Sequence, residues 1–325
     1  MKIGGISKST FYYQPTGTKR GKVASKVTLL KNRPVPNEQV VEQIKQILSE
    51  EFIDYGYPRT TQALRDLGFV INKKKTYRLM AENGLLQQQI KRSKGTKRSF
   101  VQFTTPKYSH PFATIEIDIK FVYLHEEARN FYLITALDTF TRIALSWKFD
   151  QTMTKTHVAS LVKSIKEHEL LVRYKDIKIK IRTDNGPQFI AQLLAEYLQS
   201  VGIDHEFIHP GTPQQNGHIE AFHSTFQRVV ADQYELGCYE DALQILEGFY
   251  HTYNNRRIMN AIANYSPIQF LKAWENGSIG IKVKNRKQIF FRERQAIEDD
   301  AALSREDSIG CIKINQKKKT ITLEQ

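Results

Sequence analysis

The stretch from residue 113 to residue 208 leaves this chain little choice of fold. IEIDIKFVYL, at 115–124, alternates and is rich in β-branched residues, so it reads as a strand. FYLITALDTF (131–140) and RIALSWKF (142–149) follow as two more strands joined by a tight turn. The period then changes. Val158, Leu161, Val162 and Ile165 form one helical stripe within 154–170, and IKIKIRTD (177–184) is a fourth strand. Leu193, Leu194 and Leu198 mark a helix over 188–200, and 204–208 make a short fifth strand. Three meandering strands followed by alternating helix and strand imply a mixed five-stranded α/β sheet. The loop HPGTPQQNG then leads into a long helix from about His218.

Upstream, the pattern is helical. Residues 1–35 are polar and basic, with Pro34 and Pro36 breaking the chain. Asn37 reads as the N-cap of a helix carrying Val40, Val41, Ile44, Ile47 and Leu48. Pro58 opens a second helix with Ala63, Leu64 and Leu67, stopped by Gly68. Asn72 caps a third with Tyr77, Leu79 and Met80, ended by Asn83-Gly84. Three short helices with tight turns predict an all-α, helix-turn-helix-like domain over 36–88. Residues 89–107 read as a basic linker, 108–275 as the α/β unit, and 276–325 as an extension whose IKVK, QIFF, CIKI and TITL segments suggest a small β domain.

Charge narrows the partners. Lys plus Arg number 48 against 34 Asp plus Glu, a formal net charge of +14. A field of that sign attracts polyanions, and DNA is the commonest. Lys73, Lys74, Lys75 and Arg78 on the third helix are phosphate-contact candidates, as are Lys91, Arg92, Lys97 and Arg98 in the linker; solvated surface is the competing reading for each. No apolar run is long enough for a membrane helix, and the N-terminus lacks the pattern of a secretory signal. Cys238 and Cys311 are the only cysteines, which points away from a disulfide framework and toward the cytoplasm.

Three carboxylates carry the chemical reading. Asp118 lies inside the first strand, on the face shared by Glu116 and Lys120. Asp184 ends the fourth strand in RTDNGPQF, where α/β sheets place their sites. Glu220 lies near the start of the long helix, with 35 residues between it and Asp184. Each alone has an ordinary reading: an exposed strand face, a strand-to-helix turn, a glutamate favoured by the helix dipole. Together they are an oxygen donor set suited to Mg²⁺ or Mn²⁺. Two such ions about 3.5–4 Å apart can clamp both the attacking and the leaving oxygen of an in-line phosphoryl displacement. His205, His209, His218 and His223 raise the question of zinc, but no cysteine joins them.

These motifs, in this order, resemble a known family. Residues 108–271 resemble the catalytic core of DDE transposases and retroviral integrases, through TDNGPQF, HPGTPQQNGHIEAFHSTF and YNNRR (253–257) followed by Ser266-Pro267. Residues 55–85, YGYPRTTQALRDLGFVINKKKTYRLMAENGL, resemble the segment before that core in insertion-sequence transposases of the IS-three type, and GISKSTFYY (5–13) is similar to the opening of their second reading frame. The resemblance implies a ribonuclease-H-like fold, with Asp118, Asp184 and Glu220 as the metal-binding catalytic triad. It implies DNA ends as substrate, Mg²⁺ dependence, a homo-oligomer on paired ends, and a copy-out, paste-in route through a circular intermediate. A partner or fusion from an upstream frame is a further expectation. Asn185, Gln188 and Asn216, with Gly186, Pro213 and Gly217, are expected to shape the site or touch DNA. The family often has Lys or Arg seven residues after the glutamate; here Gln227 stands there, with Arg228 next, so either is a candidate for contact with terminal DNA. Ile258-Met259 replaces the usual Pro-His. Two weaker alternatives are a catalytically silent DNA-binding descendant of a transposase and a nuclease that cuts without joining.

Overall fold

The computed structural model describes residue 12 and residues 25–87, 110–174, 176–190, 192–209, 213–284 and 288–294. Lys91, Arg92, Lys97 and Arg98, and the CIKI and TITL segments, lie outside the described residues.

A five-stranded mixed sheet organises the molecule. Its strands are β4 (Thr114–Leu124), β5 (Arg129–Asp138), β6 (Ala144–Asp150), β7 (Lys180–Thr183) and β8 (Asp204–Phe207), in the order β6-β5-β4-β7-β8. β4, β5 and β6 are an antiparallel meander, while β7 joins β4 and β8 joins β7 in parallel. The parallel strands need crossovers, and the helices between them supply these. This is the ribonuclease-H-like arrangement expected from the resemblance.

Alternation along β4 explains why the sheet is covered on both faces. Ile115 and Ile117 point into one core, where α4 (Lys155–Lys166) presents the predicted stripe Val158, Leu161, Val162 and Ile165. α6 (Pro187–Ile190) and α7 (Gln192–Ser200) add Phe189, Leu194 and Leu198 to that layer. Val122 and Leu124 point the other way. There they meet α8 (Gly217–Phe226), its π-helical continuation Gln227–Ala231, and α9 (Tyr239–Asn255), through Ile219, Phe222, Phe226 and Phe249. Glu116 and Asp118 share that second face, so it is packed by a helix rather than open to solvent.

Two turn details differ from the sequence reading. The helix predicted over 154–170 is α4, opened by a Thr154–His157 capping box, followed by a separate turn, α5 (Glu169–Val172). The long helix is interrupted after Phe226, where Asp232 donates to the Gln227 carbonyl, an i→i+5 bond of 2.8 Å.

The N-terminal unit contains the three predicted helices, α1 (Asn37–Leu48), α2 (Tyr57–Asp66) and α3 (Lys73–Glu82). They enclose a core of Val40, Ile44, Leu64, Phe69, Leu79 and Met80. Asn72 caps α3 as expected, accepting from Lys75 N at 2.8 Å. Asn37 does not cap α1. It is the first helical residue after Pro36, and its amide donates to the Ser25 carbonyl instead. The sequence reading expects helices alone, yet a small sheet joins them: β1 (Val27–Leu30) pairs with β2 (Arg33–Pro36) and β3 (Phe69–Val70). Pro34 and Pro36 lie on β2 at the edge of this sheet, where a missing N–H is tolerated.

This unit is fastened to the sheet domain. Phe52, in the left-handed region at φ 61°, carries its ring into the core beside Phe249 and Tyr234. Gly248 of α9 makes room, since a Cβ there would lie 3.1 Å from the Phe52 ring. Asp54 receives three arginines: Arg257, Arg228 (Nε–Oδ2 2.8 Å) and Arg59 (3.7 Å). At the other end, α10 (Pro267–Glu275) starts on a Ser266–Gln269 capping box. It packs with a hairpin of β9 (Ile279–Lys284) and β10 (Gln288–Glu293) through Phe140, Phe270 and Phe291. The segments IKVK and QIFF are thus strands, as expected.

Candidate active site

The site is built where β4, β7 and α8 meet. Glu116 of β4 stands opposite Arg182 of β7 in the parallel ladder. Asp118 lies two residues beyond Glu116 and Asp184 two beyond Arg182, both past the last paired residues of the β4–β7 ladder. Asp118 is part-exposed. Asp184 lies one residue beyond β7, in the turn to α6.

That turn runs through Gly186. Asp184 Oδ1 accepts from Gly186 N at 3.0 Å, closing an Asx-type turn. A Cβ on Gly186 would lie 3.0 Å from the same oxygen and 2.6 Å from Gln188 Nε2. Asn185 donates to the Ile208 carbonyl at 3.0 Å and ties the turn to the end of β8. Asn185, expected near DNA, is bonded within the protein here, and Gln188 follows it in α6.

Glu220 enters from the first turn of α8. Its carboxyl is pushed up from the ordinary range by partial desolvation and then by the negative charges of Asp118 and Glu116; His223 opposes this. His223, three residues on, brings Nδ1 to 3.4 Å from Asp118 Oδ2, while its Nε2 is buried without a hydrogen-bond partner. Asn216, just before α8, is buried with its Oδ1 unpartnered and forms no side-chain cap.

Among the described residues, no three His, Cys, Asp or Glu side chains stand close enough to enclose a metal ion. Asp118 lies on β4, Asp184 is bonded into its own turn after β7, and Glu220 is exposed in the first turn of α8. The donors nonetheless fit a hard cation. All three are carboxylates, and a divalent ion would relieve the repulsion that raises Glu220.

The basic candidates divide. Lys73 and Lys74 are exposed at the start of α3. Lys75 Nζ donates to the Val27 carbonyl at 2.7 Å, and Arg78 Nη2 to the Ser25 carbonyl at 3.0 Å, so both hold the chain entering β1. Gln227 donates to Asp232 at 2.8 Å, and Arg228 is committed to Asp54.

Sequence reasoning missed Glu116, Arg182 and the roles of His218 and His223. His218 and His223 were weighed only as zinc ligands. The available signal was spacing: Glu116, Arg182 and His218 each precede one of the three carboxylates by two residues.

Three known families match parts of the chain. An integrase core domain family matches residues 109–213, and a second integrase core domain family matches 201–267. An HTH-like domain family matches 36–94. The chain carries an HTH-like domain followed by an integrase core. The whole is 25% identical over 272 residues to an uncharacterized protein of insertion element IS476 from Xanthomonas euvesicatoria, covering 83% of this chain and 70% of that one. It is 24% identical over 247 residues to the transposase for insertion sequence element IS904 of Lactococcus lactis, covering 73% and 95%. A chain of the simian T-cell lymphotropic virus intasome shares 15% identity at a TM-score of 0.44, over 67% of this chain and 70% of that one. The integrase core thus contains all three carboxylates, and no helix among the described residues is long and apolar enough to cross a membrane.

Proposed function

We propose that this chain is a DNA transposase that cuts and rejoins strands at the ends of a mobile element. Asp118, Asp184 and Glu220 would hold Mg²⁺ or Mn²⁺. What supports this reading is that the three carboxylates lie on segments the structure ties together: β4 and β7 pair at Glu116 and Arg182, and the start of α8 is bonded to Glu116. Bound divalent ions supply Lewis acidity for phosphodiester cleavage and joining. The chain's own groups do the placing. The Gly186 turn fixes Asp184, α8 aims Glu220 at the sheet, and His223 supports Asp118. Lys73 and Lys74 are the exposed members of the basic set on α3 and are assigned to DNA phosphates. No protein side chain serves as nucleophile, so no covalent protein–DNA species forms. DNA is the substrate and partner, with assembly of several copies on paired ends.

The test is Asp184→Asn. With labelled DNA carrying the element ends, the variant is expected to lose Mg²⁺-dependent cleavage and strand transfer by at least 100-fold, an order of magnitude set by loss of one charged metal ligand. Binding to the same DNA, followed by gel shift, should stay within about 2-fold, because the phosphate contacts are elsewhere. Strand transfer at the wild-type rate would overturn the assignment. Cleavage without joining of pre-cut ends by the wild type would favour the nuclease reading.

A further inference from the structure

Beneath the three carboxylates lies a second, buried triad. Glu116 is fully buried and Arg182 is 7% exposed. Glu116 accepts four hydrogen bonds. Two come from the first backbone amides of α8, His218 N at 3.1 Å and Ile219 N at 2.9 Å. One comes from His218 Nδ1 at 2.9 Å and one from Arg182 Nη1 at 3.4 Å. Arg182 also reaches Glu206 of β8 at 3.1 Å and the Gln215 carbonyl before α8 at 3.1 Å.

Two features separate this cluster from an ordinary buried ion pair. First, Glu116 caps a helix to which it does not belong. The local cap residue, Asn216, makes no such bond, so the amides at the start of α8 are satisfied from across the sheet. Second, the spacing is the same on three segments. Glu116, Arg182 and His218 precede Asp118, Asp184 and Glu220 by two residues each. On β4 and β7 that step returns to the same face. On α8 it moves from the amides held by Glu116 to Glu220 in the same turn. The lower triad therefore ties together the three segments that carry the upper one.

We propose that Glu116, Arg182 and His218 are positioning residues that set the separation of Asp118, Asp184 and Glu220 and so the affinity of the site for a divalent cation. This rests on the reading that those carboxylates hold the metal. Partners that orient metal ligands are worth about 10–100-fold in metal affinity. A purely structural role would change the melting temperature and leave the affinity of the folded protein unaltered.

The experiment is Mn²⁺ titration of the full chain, read by the loss of the free-ion electron paramagnetic resonance signal, with DNA absent. Glu116→Gln keeps the side-chain size but turns an N–H toward donors; it is expected to weaken Mn²⁺ binding at least 10-fold. His218→Leu should do the same. His218→Asn, whose amide can still donate to Glu116, should recover most of the loss. The His218 pair decides the matter if Glu116→Gln yields little folded protein, since His218 lies at the edge of the cluster. Wild-type Mn²⁺ affinity in folded His218→Leu would overturn the proposal, as would equal affinity in the Asn and Leu variants. Asp118→Asn is the control. If it too binds Mn²⁺ like the wild type, the metal assignment fails, and the positioning role fails with it. If only Asp118→Asn loses binding, the metal assignment stands and the positioning role alone is lost.

Discussion

Asn254 shows how much a single polar side chain can hold. It lies in the YNNRR motif at the end of α9, and its amide makes two bonds to one residue of β6: Nδ2 to the Ala144 carbonyl and Oδ1 from Ala144 N, both at 2.9 Å. The β5–β6 register shifts next to Ala144, which faces Leu137 while Ala136 faces Ser146, and the amide braces the strand at that irregularity. Asn254→Ala should therefore cost about 2 kcal/mol, at roughly 1 kcal/mol per lost bond. Urea unfolding would register this as a lower midpoint at unchanged slope. A midpoint equal to the wild type would mean that water replaces the amide without loss. Arg257, in the same motif, is fully enclosed and spans to Asp54 and the Phe52 carbonyl. Neither role is visible in the string YNNRR, because both partners lie more than one hundred residues away in sequence.

At the scale of elements, periodicity made most of the integrase core legible. The stripe of α4 and the alternation of β4 each follow from one face needing burial, so a local pattern suffices. Helix starts were legible only where the capping group is local. Asn72 caps α3 with its own side chain, and Asn72→Ala should cost about 1 kcal/mol. Thermal unfolding followed by circular dichroism would check this, with no change in melting temperature counting against it. Asn37 looked equivalent, but Pro36 already supplies the extended residue before α1. The start of α8 was illegible for the opposite reason, since its cap comes from Glu116. The small sheet of β1, β2 and β3 escaped notice because its strands are two to four residues long, too short for alternation to register. The carboxylates themselves were legible through ordered motifs. Their spatial relation needed the β4–β7 register, which no single segment encodes.

For the whole molecule, the joint between the N-terminal unit and the integrase core matters most. Asp54 is the acidic partner of Arg257. Asp54→Ala would leave a buried guanidinium without its counter-charge, which costs about 3–5 kcal/mol. Unfolding should then begin at lower urea, and limited proteolysis should cut near residues 49–56 sooner. Adding Arg257→Met should restore part of the loss, because the stranded charge is gone. Equal stability of Asp54→Ala and the wild type would show that the joint holds through Phe52 alone.

Under the proposed function, that joint would also bear on where strands are cut. A head clamped at Asp54 cannot swing on a leash toward whichever bond lies near. A duplex gripped by α3 would present its scissile bond at a distance set by the protein's own dimensions, and the fold would act as a measuring rod.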